Sequence, residues 1–274
     1  MATLKDLHRF GQNLSPGEEK MPLVFIGHGN PMNAIEDNEF AAGWKHIGKE
    51  LPKPRAILCV SAHWETDGTR VTAMDKPRTI HDFGGFPPEL YEVQYPAPGD
   101  PALANQTREV IQKAVVELDK NWGLDHGCWS VVRRMYPDAD VPVLQLSLDR
   151  SMAPERHYEL AKDLDMLRKR GVLIIGSGNM VHNLRMVNWE NPGATYDWAE
   201  EMNAKFKELI LGERHEDLSG YSSLGTAARL SVPTPEHFLP MLYVLALKGA
   251  KESIKFFNDK TVMGSISMTS FKIW

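Results

Sequence analysis

The sequence predicts an α/β fold: one domain with a mixed, mostly parallel central sheet flanked by helices, and a site at the carboxyl ends of the strands. Three observations predict it. Short unbroken apolar runs, Leu23–Gly27, Ala56–Val60 and Val172–Gly176, have the length and bounding residues of fully buried strands. Stretches with helical spacing of apolar residues alternate with them, the order that builds parallel sheets. Each run also delivers a histidine: His28 at once, His63 through Ser-Ala, and His182 through Ser-Gly-Asn-Met-Val. Open α/β sheets bind their ligands outside the carboxyl ends of the strands.

Residues 1–20 are polar, mixed in charge and read as an N-terminal arm; 21–274 read as the single domain. Pro22–Ile26 is the first strand and Gly27-His-Gly-Asn-Pro31 a tight turn. Phe40, Trp44, Ile47 and Leu51 give residues 38–51 helical spacing. Ala56–Val60 follows, with His63 in the turn after it, then a short strand at 70–74. Residues 77–101 are rich in Pro, Gly and aromatics without periodicity. Phe83, Phe86, Tyr91 and Tyr95 favour an ordered wall or lid there, because disordered segments are poor in aromatics. Asp100-Pro101 opens a helix read as 102–118. His126 lies between Asp125 and Gly127 before a short helix ending at Met135, and 141–147 is a strand. Pro154–Arg170 is an amphipathic helix stopped by Gly171. Residues 196–211 form another helix. Thr234 is read as the cap of one running to Lys248, and 262–273 as a late antiparallel edge strand.

A net charge of −5, with no Lys/Arg run, argues against a nucleic-acid binder. No apolar stretch reaches the roughly 20 residues that span a bilayer. The N-terminus lacks the apolar centre of a signal peptide, and Cys59 and Cys128 form no CxxC pair, so the expected location is cytoplasmic. Composition leaves the oligomeric state open.

Of ten histidines, His28, His63, His126, His182 and His237 sit in glycine-rich or strand-end turns or at a helix start. His8, His46, His157 and His215 lie in polar helical surroundings and read as surface residues; His81, in the aromatic loop, is a candidate substrate contact. Imidazole suits Zn, Fe, Cu and Ni, and a catalytic site keeps a position open for water or substrate. Three strand-end histidines on parallel neighbours meet that demand. The competing reading, a phosphate cradle, lacks both GxGxxG and a Lys-[Ser/Thr] step.

In order along the chain, Gly27-His-Gly-Asn-Pro-Met, Ser61-Ala-His-Trp, His81-Asp-Phe-Gly-Gly-Phe-Pro, Tyr95-Pro-Ala-Pro-Gly, Asp125-His-Gly, Gly178-Asn-Met-Val-His-Asn-Leu and Thr234-Pro-Glu-His resemble the class III extradiol ring-cleavage dioxygenases, and more closely their 4,5-DOPA extradiol branch. The resemblance covers about residues 20–270. It implies one divalent metal at the mouth of an α/β sheet, with Fe(II) for activity and zinc often present in purified protein. It maps ligands onto His28, His63 and His237, with His182 a fourth ligand or the acid/base, and the second catalytic histidine onto His126. It also implies a catechol and O2 as partners, with His81, Phe83 and Tyr95 about the substrate. Better-known members use two histidines and a carboxylate. Here Glu236-His237 offers both kinds of ligand, and helical neighbours point about 100° apart, so only one can face the metal; the DOPA-type branch favours His237.

On that resemblance His182 accepts the phenolic proton and His126 returns one to the opened ring. Two other readings remain at the level of sequence: a zinc hydrolase with Glu236 or Asp125 as base, and a metal-containing binding protein without turnover.

Overall fold

The computed structural model describes residues 20–274, so the expected arm lies outside the described residues except for Lys20. Its strands are β1 (Leu23–Gly27), β2 (Ala56–Thr66), β3 (Thr69–Thr72), β4 (Val116–Asp119), β5 (Val143–Asp149), β6 (Val172–Gly178), β7 (Ile254–Phe257), β8 (Thr261–Val262), β9 (Ile266–Ser267) and β10 (Ser270–Ile273). Eight of them form one sheet in the order β4-β3-β5-β2-β6-β1-β10-β7. The four at its centre, β5, β2, β6 and β1, are mutually parallel, whereas β10 runs antiparallel to β1 and to β7. All four central strands therefore end on the same side, and β6 lies between the two that carry His28 and His63.

Helices cover both faces. The longer ones are α1 (Glu39–Glu50), α2 (Pro101–Val110), α3 (His126–Met135), α4 (Pro154–Ala161), α5 (Asp197–Leu211) and α6 (Leu239–Ala246). Asn38, Asp100 and Asp125 cap α1, α2 and α3, each side chain accepting a backbone N–H from three residues on. α6, Leu-Pro-Met-Leu-Tyr-Val-Leu-Ala, is apolar all round and almost wholly buried; the helix interior thus packs on every side instead of showing water one face. No helix among the described residues is long and apolar enough to cross a membrane.

Several sequence expectations are corrected. The helix read as 102–118 ends at Val110, because Asp163 Oδ2 takes the backbone N–H groups of Gln112 and Lys113, at 2.7 and 3.1 Å. The chain then enters β4, beside β3. The helix read as 154–170 breaks into α4, a 3-10 turn and one helical turn before Gly171, which has φ +77°. Thr234 caps nothing: its hydroxyl donates to Glu236, and α6 begins only at Leu239. The C-terminal stretch splits into the β8–β9 hairpin and β10, an interior strand; β7 takes the edge instead.

His157 was expected at the surface and is instead fully buried. Its Nε2–H donates to the Asp149 carbonyl at 3.2 Å, so Nδ1 accepts from the Tyr243 hydroxyl at 2.9 Å. Burial lowers its pKa from 6.5 to about 4. The unfolded chain therefore binds this proton first as pH falls, and the stability it contributes is complete above pH 6.5 and lost toward pH 4. Urea unfolding of the protein is expected to show roughly 2–3 kcal/mol of that loss, absent from His157→Gln.

Candidate metal centre

Five histidine side chains meet at the carboxyl end of the central strands. His28 follows β1 directly, with its backbone N–H on the Gly178 carbonyl at 3.0 Å. Its Nδ1 lies 3.0 Å from Ser177 Oγ, and that hydroxyl donates to the Gly127 carbonyl at 2.6 Å. The hydroxyl proton is thus committed, so His28 donates from Nδ1 and its Nε2 carries a lone pair.

His63 was expected in a turn past the strand. β2 instead continues to Thr66, but its pairing with β5 breaks between Val60 and Glu65. Such an irregularity re-aims side chains next to a site. His63 points Nδ1 at Asp82 Oδ2, 3.3 Å away, and Nε2 at His28 Nε2, 3.1 Å away. His237 stands in the turn before α6 with Nδ1 3.1 Å from Glu236 Oε1. Because this turn precedes the helix, Glu236 and His237 are not helical neighbours; the carboxylate stands behind the imidazole. The three rings form a near-equilateral triangle, with centroids 5.0 Å (His28–His63), 5.3 Å (His28–His237) and 5.0 Å (His63–His237) apart.

His126 opens α3, donating from its backbone to Asp82 Oδ1 at 2.8 Å and from Nδ1 to Asp82 Oδ2 at 2.9 Å. Its ring lies 3.9 Å from that of His63. His182 stacks on His237, centroids 3.5 Å apart and planes 9° from parallel. Candidate ligand atoms come within 4.8 Å of one another in two groups, His28–His63–His126 and His182–Glu236–His237.

These donors fit a divalent cation. The Nε2 atoms of His28 and His63 stand 3.1 Å apart, and ligands about 2.0–2.1 Å from a shared ion stand roughly 3.0–3.4 Å apart. Burial, then the neighbouring imidazoles, holds His28 and His237 well below the usual histidine range, and burial first brings His63 to about 3 and His182 to about 4. At neutral pH these four are the neutral bases a metal requires. Asp82 is pushed up by burial, but the hydrogen bond from His126 and the neighbouring rings outweigh that and leave it below its ordinary value.

A cavity of about 600 Å³ opens over the cluster. His28, His63, His126, His182 and His237 line it, as do Phe83 and Phe86, and Leu184, Val187, Trp189 and Met263 supply apolar wall. Phe83 meets the His126 ring edge to face at 5.5 Å. Two expected substrate contacts stand outside the cavity lining. Tyr95 is buried, with its hydroxyl on the Tyr136 carbonyl at 2.8 Å, and does not line the cavity. His81 stands behind Phe83, its Nε2 donating to the Val93 carbonyl at 2.9 Å. Both build the loop from below. The carboxylates considered as hydrolytic bases are committed too. Asp125 is buried and accepts from Ser61, Cys128 and Gln145, and Glu236 is bonded to His237 and Thr234; neither lines the cavity. Asp82 and Ser177, which orient three of the imidazoles, escaped the sequence reading. Asp82 stands inside the glycine- and aromatic-rich motif beside His81, the one local signal it offered.

A cluster of imidazoles at the open end of a mostly parallel sheet, with His28 and His237 held from behind by Ser177 and Glu236, defines a metal-dependent α/β enzyme. The sequence profile of the catalytic LigB subunit of aromatic ring-opening dioxygenase matches residues 21–270. The chain is 47% identical over 259 residues to an Escherichia coli K12 protein named 4,5-DOPA dioxygenase extradiol, covering 93% of this chain and 95% of that one. It is 36% identical to the protein of the same name from Beta vulgaris, over 90% of this chain and 94% of the other. A crystal structure of an uncharacterized Escherichia coli K12 protein superposes with a TM-score of 0.82 at 43% identity, covering 93% of this chain and all of that one. The chain belongs to the LigB family of aromatic ring-opening dioxygenases and is by class an extradiol dioxygenase.

Proposed function

We propose that this enzyme opens the ring of a DOPA-type catechol beside its two hydroxyls with O2, in the cytoplasm. One divalent metal is held by His28, His63 and His237; Fe(II) is the active ion and Zn(II) its common replacement in purified protein. The observation that carries this reading is the triangle of imidazoles whose Nε2 atoms are left toward one another: Nδ1 of His28 and of His237 is bonded to Ser177 and Glu236, and Nδ1 of His63 faces Asp82 at ion-pair distance. The DOPA names of the relatives support the substrate class, and two free buried cysteines suit a reducing compartment.

When bound, iron supplies a Lewis acid that favours the ionised catechol and a route for electrons from ring to oxygen. The chain does the rest. His182, on the cavity wall with burial keeping it neutral, accepts the phenolic proton. His126, with its Nδ1–H on Asp82, works through Nε2 on the opposite side: it takes up the second catechol proton there and, so protonated, stabilises charge on the oxygens and returns that proton to the opened ring. Phe83 and Phe86 cover the aromatic ring and exclude water. At the rim stands Glu36, and no lysine or arginine is among the described lining residues, so the wall favours the ammonium end of a DOPA-type side chain over its carboxylate.

The test is anaerobic loading with Fe(II), then L-DOPA and O2, followed by oxygen electrode and by the yellow semialdehyde. Oxygen consumption matched to product is expected; none with any catechol at full iron occupancy overturns the reading. Glu36→Gln is expected to raise KM for L-DOPA about three- to fivefold, the scale of an exposed ion pair, without changing KM for dihydroxyphenylpropionate, which has no ammonium.

A further inference from the structure

We infer that Asp82 is a positioning residue shared by two histidines: one carboxylate sets the tautomer and orientation of both His63 and His126, and so joins metal binding to proton transfer. The inference rests on the roles assigned above to those two rings. Asp82 Oδ2 lies 3.3 Å from His63 Nδ1 and 2.9 Å from His126 Nδ1, while Oδ1 accepts the His126 backbone N–H at 2.8 Å. His126 donates its Nδ1–H to that oxygen and His63 Nδ1 faces it at ion-pair distance; with its proton held there by the carboxylate, His63, like His126, keeps Nε2 unprotonated. On His63 that atom faces His28 Nε2; on His126 it is left for the substrate.

Only an acceptor without protons can take two donors and face a third in this way, and an ionised carboxylate has no proton to donate. Asparagine of the same shape cannot replace it. With its oxygen toward the His126 N–H, its NH2 faces both Nδ1 atoms and drives the ring protons to Nε2, where a metal ligand cannot carry one. Turned over, its NH2 faces the backbone N–H at the start of α3, a donor against a donor. The carboxylate also ties the loop bearing Phe83 to that helix start, where negative charge is favoured.

The test compares Asp82→Asn with Asp82→Glu by competition for Zn(II) against a chromophoric chelator, by the absorption spectrum of the Co(II) form, and by kcat and KM of the Fe(II) form with L-DOPA. A merely structural role makes the isosteric amide the milder change. Sharing predicts the reverse: Asp82→Asn binds zinc about 10- to 100-fold more weakly with an altered Co(II) spectrum, and Asp82→Glu recovers much of the affinity. In Asp82→Asn kcat falls with KM little changed, and the loss is not repeated when the substitution is added to His126→Ala. Zinc affinity in Asp82→Asn equal to that of Asp82→Glu, or a full further loss of kcat beside His126→Ala, overturns the inference. If Asp82→Asn does not fold, Asp82→Ser takes its place, and unchanged zinc affinity there overturns it equally. His63→Ala separates the levels. If it still binds zinc normally, the ligand assignment itself fails; if it loses zinc while Asp82→Asn keeps it, only the shared role does.

Discussion

His237→Ala is expected to empty the metal site, while His126→Ala keeps the metal and loses the reaction. Removing groups that only orient a ligand costs roughly 10- to 100-fold in metal affinity, so deleting a ligand at His28, His63 or His237 should cost more than about 100-fold. His126 and His182 face the same cavity, but the proposed roles are proton transfer, typically worth about 10²–10⁴ in rate. Metal content after gel filtration, read beside oxygen uptake at saturating Fe(II), separates the two groups. His126 belongs to a tight cluster with His28 and His63, and His182 stacks on His237, so both assignments are exposed to failure. A His126→Ala protein without metal would move His126 into the ligand set, and an empty His182→Ala site would make His182 the fourth ligand.

Gly178→Ala is expected to abolish metal binding without touching a histidine. Gly178 ends β6, where its carbonyl takes the His28 N–H, and a Cβ there would lie 2.1 Å from the His237 carbonyl oxygen. That oxygen is itself held by the Asn179 N–H at 2.8 Å. The obstacle is backbone and cannot rotate away, so the turn bearing His237 must move. Overpacking of this kind costs about 1–3 kcal/mol, a fall in Tm of roughly 5–10 °C at the upper end for a chain this long. Zinc titration with a melting curve checks it: a soluble variant with full zinc affinity would mean that His237 does not hold the ion.

What could be read in one dimension were properties set by near neighbours. Apolar runs announce β1, β2 and β6, and Pro101 announces a helix start, because burial of a run and the fixed φ of a proline are local. The histidines that end those runs could be singled out for the same reason. Tyr95 and Phe83 look alike in the aromatic loop, yet one hydroxyl reaches the Tyr136 carbonyl under the loop and the other ring meets His126. His157 reads as a surface residue until the β5 end and α6 close around it.

The chain's letters alone were enough for its class, its alternating strands and helices, and the five imidazoles that gather at one end. Which atoms meet there was a matter for the folded molecule. His28 rests on Ser177 and His63 on Asp82 only because β6 inserts between β1 and β2 and β2 breaks step with β5. Strand order and register depend on contacts between residues far apart in the chain, and these leave no periodic trace in the sequence that makes them.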